Sequence, residues 1–209
     1  MRLGGCNLSC RWCDTPYTWD WTGSSDTGVK FDPKKELHRM PVGKVAERLL
    51  DYHVELVVIS GGEPLNQQKR LVPLVGELMR HGVEIEIETN GTRVPDQRLV
   101  AAGVRFNVSP KLSHAGDPVE MRIVPEALRA LAALPSSTFK FVCREVADLD
   151  EVGEFTDKFD ITSVYIMPEG QSREEVDDHM QTLVSAVIDR GWSITTRLHT
   201  LVWGQKRGV

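Results

Sequence analysis

Extended and amphipathic segments alternate along the chain from about residue 42 onward, and this alternation limits the possible fold more than any other feature. The extended runs are rich in Val, Ile, Phe and Tyr and occupy residues 55–60, 83–89, 104–109, 138–143, 164–168 and 192–203. Between them, apolar residues recur at three- and four-residue spacing over residues 42–53, 67–82, 126–134 and 173–191, as in helices that bury one face. Because helical crossovers between parallel strands are right-handed, the pattern predicts an open doubly wound sheet or a full or partial (βα) barrel.

The size and charge of the chain exclude several classes of function. A length of 209 residues predicts a single domain over residues 1–209, in which the polar, aperiodic residues 22–41 form a surface excursion. The net charge of -5 argues against electrostatic binding to a nucleic-acid backbone. No apolar run approaches the roughly 20 residues of a membrane helix, and no signal peptide opens the sequence. We therefore expect a cytoplasmic protein that binds neither nucleic acid nor a membrane.

Glycine, proline and small polar residues follow four of the predicted strands. The segments are SGGEP at residues 60–64, ETNGT at 88–92, SPK at 109–111 and MPEG at 167–170. Ordinary turn chemistry would explain any one of them. Since parallel strands end at the same edge of a sheet, four such segments together predict a binding site at that edge.

Three of the four cysteines lie close together near the amino terminus. Cys6, Cys10 and Cys13 have polar neighbours, which argues against inert burial, and a reducing compartment disfavours disulfides. A zinc site usually takes four ligands, for which Cys143 or His38 would have to serve. A cubane iron-sulfur cluster held by three thiolates would leave one iron open to a substrate or cofactor.

The segment CNLSCRWC, with Trp12 before the third cysteine, resembles the motif of the radical S-adenosylmethionine (radical SAM) enzymes, and SGGEP resembles their glycine-rich motif. In that superfamily an electron from a reduced [4Fe-4S] cluster cleaves SAM to methionine and a 5'-deoxyadenosyl radical. The segments CDTPYTWDW, ETNGT, VSPKLS, VYIMPEG and RLHTLVWGQKRGV resemble the 7-carboxy-7-deazaguanine synthases of queuosine and 7-deazapurine biosynthesis. The resemblance implies an open, partial (βα)6-type barrel and a lyase that converts 6-carboxy-5,6,7,8-tetrahydropterin to 7-carboxy-7-deazaguanine with loss of ammonia.

The resemblance also implies which residues form the site. The radical generated on the cofactor carries out the reaction, and no further catalytic residue is assigned. The SAM site would be lined by Trp12, Cys13, Asp14, Gly62, Glu63, Ser109, Pro110, Lys111, Met167, Pro168, Glu169 and Gly170. The substrate would meet Arg2, Ser60 and the carboxylate of Val209, while Cys6, Cys10 and Cys13 hold the cluster. Thr15 would supply an oxygen to Mg²⁺, which prefers oxygen ligands; alternatively, Asp14 or Thr15 caps the next turn. Arg197 and His199 would line the barrel from the last strand. A homodimer and an electron donor such as flavodoxin or ferredoxin are implied as well.

The sequence departs from the family pattern in two places. Met167 stands where the family often has Gln, and no QGEG-like segment precedes Met1, so that most of the first strand is missing. We expect the working enzyme to begin further upstream. A glycyl-radical activating enzyme, which shares the cysteine motif, remains an alternative, as does a non-catalytic metal-binding module or truncated homologue.

Overall fold

The computed structural model describes residues 1–204, 206 and 207, and its centre is a sheet of parallel strands in sequence order. The strands are β1 (Arg2–Leu3), β2 (Leu56–Gly61), β3 (Glu84–Thr89), β4 (Arg105–Val108), β5 (Ser137–Cys143), β6 (Val164–Pro168) and β7 (Ser193–Ile194). The two short strands β1 and β7 lie at opposite edges. The predicted open α/β architecture is therefore confirmed, and within the described residues the sheet does not close into a full barrel.

Helices connect the strands. They are α1 (Pro33–Glu36), α2 (Val42–Leu50), α3 (Gln68–Arg80), α4 (Gln97–Ala101), α5 (Val119–Arg122), α6 (Pro125–Ala132), α7 (Val146–Phe159), α8 (Arg173–Asp189) and α9 (Leu198–Trp203). Short 3-10 turns cover Pro16–Thr18, Pro64–Gln67 and Ser113–Ala115. No helix in the described part of the chain is long and apolar enough to cross a bilayer.

The alternation of side chains along the strands separates the core from the site. Ile59, Ile87 and Phe106 point to the helical layer and are almost fully buried, each contributing about 1.5–3 kcal/mol of hydrophobic stabilisation. The alternate positions on the other face carry polar side chains such as Ser60 and Glu88, which bond to each other. The sheet therefore buries one face and keeps a polar second face that leads to its carboxyl edge.

The prediction of an extended run over residues 192–203 is wrong for most of its length. Only Ser193–Ile194 is a strand, and Leu198–Trp203 forms helix α9. The chain leaves the sheet after Thr195, because the buried guanidinium of Arg197 binds the backbone of the loop that follows β6. Arg197 thus precedes a helix instead of lining a strand, and His199 lies on the exposed surface of α9. Tertiary contacts here override the β propensity of the segment.

Two further differences concern loops and helices. The polar excursion over residues 22–41 includes the short helix α1, whose first turn is capped by the side chain of Asp32. Helix α7, like the short helices α4 and α5, has no counterpart among the predicted helices, although a capping box between Glu145 and Asp148 marks its start. The single-domain boundary at 1–209 stays a prediction.

Candidate radical SAM site

The three clustered cysteines lie in a loop that leaves β1 at the carboxyl edge of the sheet. None forms a disulfide; Cys10 is buried, and Cys6 and Cys13 are partly buried. They pack with Leu8, Trp12, Ala115, Val142 and Met167 in a small apolar cluster separate from the main core. The loop and its apolar neighbours thus partly shield the thiols from solvent.

The glycine pair of SGGEP allows the cysteine loop to approach β2. The backbone N–H of Gly62 donates to Leu3 O at 2.8 Å, and the N–H of Glu63 donates to Gly5 O at 2.9 Å. A Cβ on Gly62 would lie only 2.1 Å from Gly5 O and 2.9 Å from Cys6 N. Only glycine permits this contact of two backbones.

Loops after β3 and β4 hold the same segment further along. Asn7 donates to Thr92 Oγ1 at 2.9 Å and accepts from Asn90 Nδ2 at 3.2 Å. The backbone N–H and the hydroxyl of Ser9 both donate to Asp117 Oδ1 at 2.9 Å. The loop conformation is therefore fixed by side chains from outside it.

Glu63 is completely buried, and its carboxylate joins the loops after β2 and β3. It accepts hydrogen bonds from Leu65 N, Thr89 Oγ1 and Asn90 N at 2.9, 2.8 and 2.7 Å. Burial raises the pKa of Glu63, although the three donors act in the opposite direction. Since its oxygens accept from these donors, Glu63 serves as a link between loops, whereas direct contact with SAM stays a prediction.

The thiols fit an iron-sulfur cluster by their chemistry. Burial raises the pKa of Cys6 to about 11 and raises that of Cys10 further, so iron must replace the proton for these sulfurs to act as thiolates. In the described residues, no three His, Cys, Asp or Glu side chains are placed to hold a single metal ion. A cubane cluster uses one thiolate on each of three irons and does not need convergence on one ion.

Backbone and side-chain donors approach two of the sulfurs. Leu8 N lies 3.4 Å from Cys6 Sγ, and Thr15 N lies 3.4 Å from Cys13 Sγ. The indole Nε1 of Trp19 donates to Cys13 Sγ at 3.3 Å. Such donors favour a charged sulfur, as a cluster thiolate requires.

Trp12 and the SPK segment form one wall beside the cysteine loop. Lys111 Nζ donates to Ser109 Oγ at 2.9 Å and lies 5.6 Å from the centroid of the Trp12 ring. His114 stacks on the same ring, with 5.5 Å between centroids. The buried Nε1 of Trp12 has no partner among the described residues, so a donor remains available to a ligand. Pro110, in the same segment, is buried.

The MPEG segment forms a second wall. Met167 reaches the cysteine cluster, and Pro168 ends β6. The buried carboxylate of Glu169 accepts from Arg144 Nε at 3.1 Å. Trp12, Glu169, Arg144 and neighbouring polar residues line a cleft of about 400 Å³. The cleft thus contains two of the residues predicted for the SAM site, together with Arg144, which sequence reasoning missed.

Asp14 and Thr15 do not cap the turn that follows them. Thr15 is the N-cap residue of the turn Pro16–Thr18, yet its side chain makes no capping bond. Its buried hydroxyl lies 3.6 Å from Cys13 Sγ. Asp14 instead pairs with the guanidinium of Arg197, which also donates to Gly170 O at 2.9 Å. The capping alternative is therefore wrong, and Arg197 connects the cysteine loop to the MPEG segment.

Charged residues on the polar face of the sheet lie next to the predicted substrate residues. Arg2 is paired in register with Ser60, whose hydroxyl donates to Glu88 Oε2 at 2.7 Å. Lys140 Nζ donates to Glu88 Oε1 at 3.0 Å. Burial alone would raise the pKa of Glu88, but the charge of Lys140 and these hydrogen bonds lower it overall. Val209, the third predicted substrate residue, lies outside the described residues.

Sequence reasoning did not select Glu88 or Lys140, although a signal was present. In EIEIET, glutamates alternate with buried isoleucines, which places the carboxylates on the face opposite the core. Lys140 occupies the equivalent polar position in STFKFVC. Polar residues at alternate positions of central strands therefore mark the interior face of the site.

Comparison with known proteins identifies the family of the chain. The radical SAM superfamily model matches residues 2–183. The 7-carboxy-7-deazaguanine synthase of Pyrobaculum aerophilum is 33% identical over 210 residues, with 100% of this chain and 86% of that protein covered. The enzyme of the same name from Rhodopirellula baltica is 30% identical over 224 residues, with coverage of 100% and 80%.

Solved structures share the fold. QueE from Escherichia coli superimposes with a TM-score of 0.63 at 23% identity, covering 94% of this chain and 83% of that one. SuiB from Streptococcus suis, in a crystal structure with S-adenosylmethionine, gives a TM-score of 0.60 at 14% identity and covers 94% and 47%. By the superfamily match and its full-length relatives, the chain belongs to the radical SAM superfamily and, within it, to the 7-carboxy-7-deazaguanine synthase family.

Proposed function

We propose that this chain converts 6-carboxy-5,6,7,8-tetrahydropterin to 7-carboxy-7-deazaguanine, with loss of ammonia, in queuosine and 7-deazapurine biosynthesis. The observation that carries the proposal is the juxtaposition of the cysteine loop with a polar, charged sheet face in a chain of this family. When bound, the [4Fe-4S] cluster and SAM supply a deoxyadenosyl radical. The residues of the chain bind and orient the reactants around it.

We propose that Cys6, Cys10 and Cys13 hold the cluster and that SAM binds between the two walls described above. Its residues would be Trp12, Cys13, Asp14, Gly62, Glu63, Ser109, Pro110, Lys111, Met167, Pro168, Glu169 and Gly170. The ammonium of Lys111 suits the carboxylate of SAM, and the unpartnered Trp12 Nε1 offers a hydrogen bond. Glu63 would act through the loops it joins.

We propose that the substrate lies over Arg2, Ser60 and Glu88. The guanidinium of Arg2 matches the substrate carboxylate, since planar guanidinium and carboxylate groups form paired hydrogen bonds. The charge of Lys140 keeps Glu88 ionised, and an ionised carboxylate can accept from N–H groups of the pterin. Val209 remains a predicted substrate contact.

Thr15 is the proposed protein ligand of Mg²⁺, with substrate and water oxygens completing the shell. Its buried hydroxyl lies beside Cys13 and is not used as a cap, which leaves its oxygen available. Thr15→Val keeps the shape and removes that oxygen, so the Mg²⁺ stimulation of turnover should be lost while cluster content stays unchanged. Thr18→Val is the matched control, because it removes a neighbouring buried hydroxyl that donates to Thr15 O. Equal Mg²⁺ stimulation in Thr15→Val and wild type would refute the ligand assignment.

Anaerobic reconstitution tests the overall function. We expect about four irons per chain with sulfide, SAM cleavage on reduction, and formation of 7-carboxy-7-deazaguanine when the pterin and Mg²⁺ are added. One zinc per chain without SAM cleavage would favour a metal-binding module instead. SAM cleavage without the ring-contracted product would contradict the substrate assignment.

The family supports further proposals about the setting of the reaction. We propose a cytoplasmic homodimer that receives electrons from a flavodoxin or ferredoxin and binds neither nucleic acid nor a membrane. The net charge of -5 supports the proposal that the chain does not bind nucleic acid.

A further inference from the structure

We propose that Trp19 sets the reduction potential of the iron-sulfur cluster through the hydrogen bond from its indole N–H to Cys13 Sγ. The distance from Nε1 to Sγ is 3.3 Å, within the range of N–H donors to sulfur. In the described part of the chain, this is the closest side-chain donor to any of the three clustered thiols. The inference rests on the cluster of the superfamily and does not depend on which substrate the enzyme takes.

The sulfurs of the site differ in their donors. Cys13 receives the backbone N–H of Thr15 at 3.4 Å as well as the indole of Trp19. Cys6 receives the backbone N–H of Leu8 at 3.4 Å and only a long contact of 3.9 Å from Asn90. Trp19 is therefore the donor that a substitution can remove with least disturbance to the backbone around the cluster.

The local fold holds the indole in place. Trp19 follows the turn Pro16–Thr18, and its backbone N–H donates to Pro16 O at 3.0 Å. Gly5 N donates to Thr18 O at 2.7 Å, which fastens this turn to the beginning of the cysteine loop. The turn thus brings position 19 back beside position 13, and the partly buried indole keeps a fixed direction.

The physical effect follows from the charge added on reduction. One electron increases the negative charge on the cluster and its sulfurs, and an N–H dipole pointing at a sulfur stabilises that charge. The hydrogen bond therefore raises the reduction potential and makes the cluster easier for an electron donor to reduce. Exclusion of solvent by the large indole would act with the opposite sign, since contact with water also stabilises the reduced state.

The test compares reduction potentials of the reconstituted holoenzyme without SAM, in titrations followed by electron paramagnetic resonance. Trp19→Phe removes the donor and should shift the potential to a more negative value at full iron content. Trp21→Phe is the matched control, because Trp21 is also partly buried in the same segment and should leave the potential unchanged. The readout is a potential, which a purely structural role of Trp19 would not move in this direction.

The sign of the shift decides between the explanations. An unchanged potential in Trp19→Phe, or an equal shift in Trp21→Phe, would overturn the proposal. A shift to a more positive value would assign Trp19 to solvent exclusion and would overturn it as well. If Trp19→Phe fails to assemble the cluster, benzothienylalanine at position 19 keeps the two-ring shape without the N–H, and the same negative shift is then expected.

Discussion

Replacing Arg197 by Met should destabilise the protein far more than replacing a surface arginine with the same kinds of partners. The Arg197 side chain is only 4% exposed, donates to Gly170 O at 2.9 Å and pairs with Asp14, which is 47% exposed. Met retains most of the apolar volume, so the variant removes the polar contacts and creates little cavity.

The magnitude follows from these contacts. Loss of a hydrogen bond from a charged donor to the buried carbonyl of Gly170 costs about 1.5–3 kcal/mol. The pair with Asp14 adds only about 0.5–1 kcal/mol, because water screens the exposed partner. The expected loss in the free energy of unfolding is therefore about 2–4 kcal/mol.

Urea unfolding of the cluster-free protein, under reducing conditions and followed by circular dichroism, measures this loss. Arg190→Met is the control, since Arg190 also bonds one carbonyl, Ala186 O, and one carboxylate, that of Asp150, but at the exposed position that follows the last residue of α8. Its expected cost is below about 1 kcal/mol. Equal losses in Arg190→Met and Arg197→Met would refute the argument that burial makes Arg197 the stronger link.

Three further predictions concern the thiols, the glycine pair and the acid stability. Cys6→Ala should abolish assembly of the four-iron cluster, whereas Cys143→Ala should not, and iron and sulfide assays measure the difference. A wild-type iron content in Cys6→Ala would contradict the ligand assignment. Gly62→Ala should also lower iron content, because the added Cβ would strike Gly5 O and Cys6 N; full iron content would show that the loop can shift freely. Lys140→Met should move acid unfolding to higher pH. The folded pKa of Glu88 is lowered, so its stabilisation exists above the unfolded value and is lost as pH falls through the folded value. An unchanged acid midpoint, measured by circular dichroism, would contradict this linkage.

The order of strands and the position of the site could be predicted because they depend on local patterns. Runs such as LVVISG and EIEIET carry their burial pattern in the sequence, and the segments after them meet at one edge for geometric reasons. Helix α7 was also predictable in principle, since Leu149, Val152, Phe155 and Phe159 recur at helical spacing and are buried. Its frequent acidic residues obscured that spacing.

Contacts between distant segments could not be predicted in the same way. The bond from Arg197 to Gly170 determines where β7 ends, and no pattern within residues 192–203 contains it. The hydrogen bonds by which Glu63 joins the loops after β2 and β3 are likewise tertiary contacts, which the motif around Glu63 does not contain. The direction of the Trp19 indole depends on a turn held by Gly5, which is likewise a tertiary contact.

The spacing of the first two cysteines has a structural reason in the way their loop crosses the sheet edge. Its odd-numbered residues form hydrogen bonds with successive strand-end loops. Gly5 bonds to the loop after β2, Asn7 to the loop after β3, and Ser9 to the loop after β4. The loop thus reaches the next strand-end loop with every second residue. The anchors therefore occupy one parity of the sequence.

The even-numbered residues of the same loop turn to the other side. Cys6, Leu8, Cys10 and Trp12 pack together in the apolar cluster, so both cysteines face the same interior. A change of the spacing between Cys6 and Cys10 by one residue would place one thiol on the anchor side or detach an anchor from its strand-end loop. Asp117→Ala, which removes the anchor of Ser9, should lower the iron content of the reconstituted protein, although Asp117 lies far from the cysteines in sequence. Unchanged iron content would contradict this anchoring role. The three residues between the first two cysteines thus keep both thiols on the side opposite the anchors.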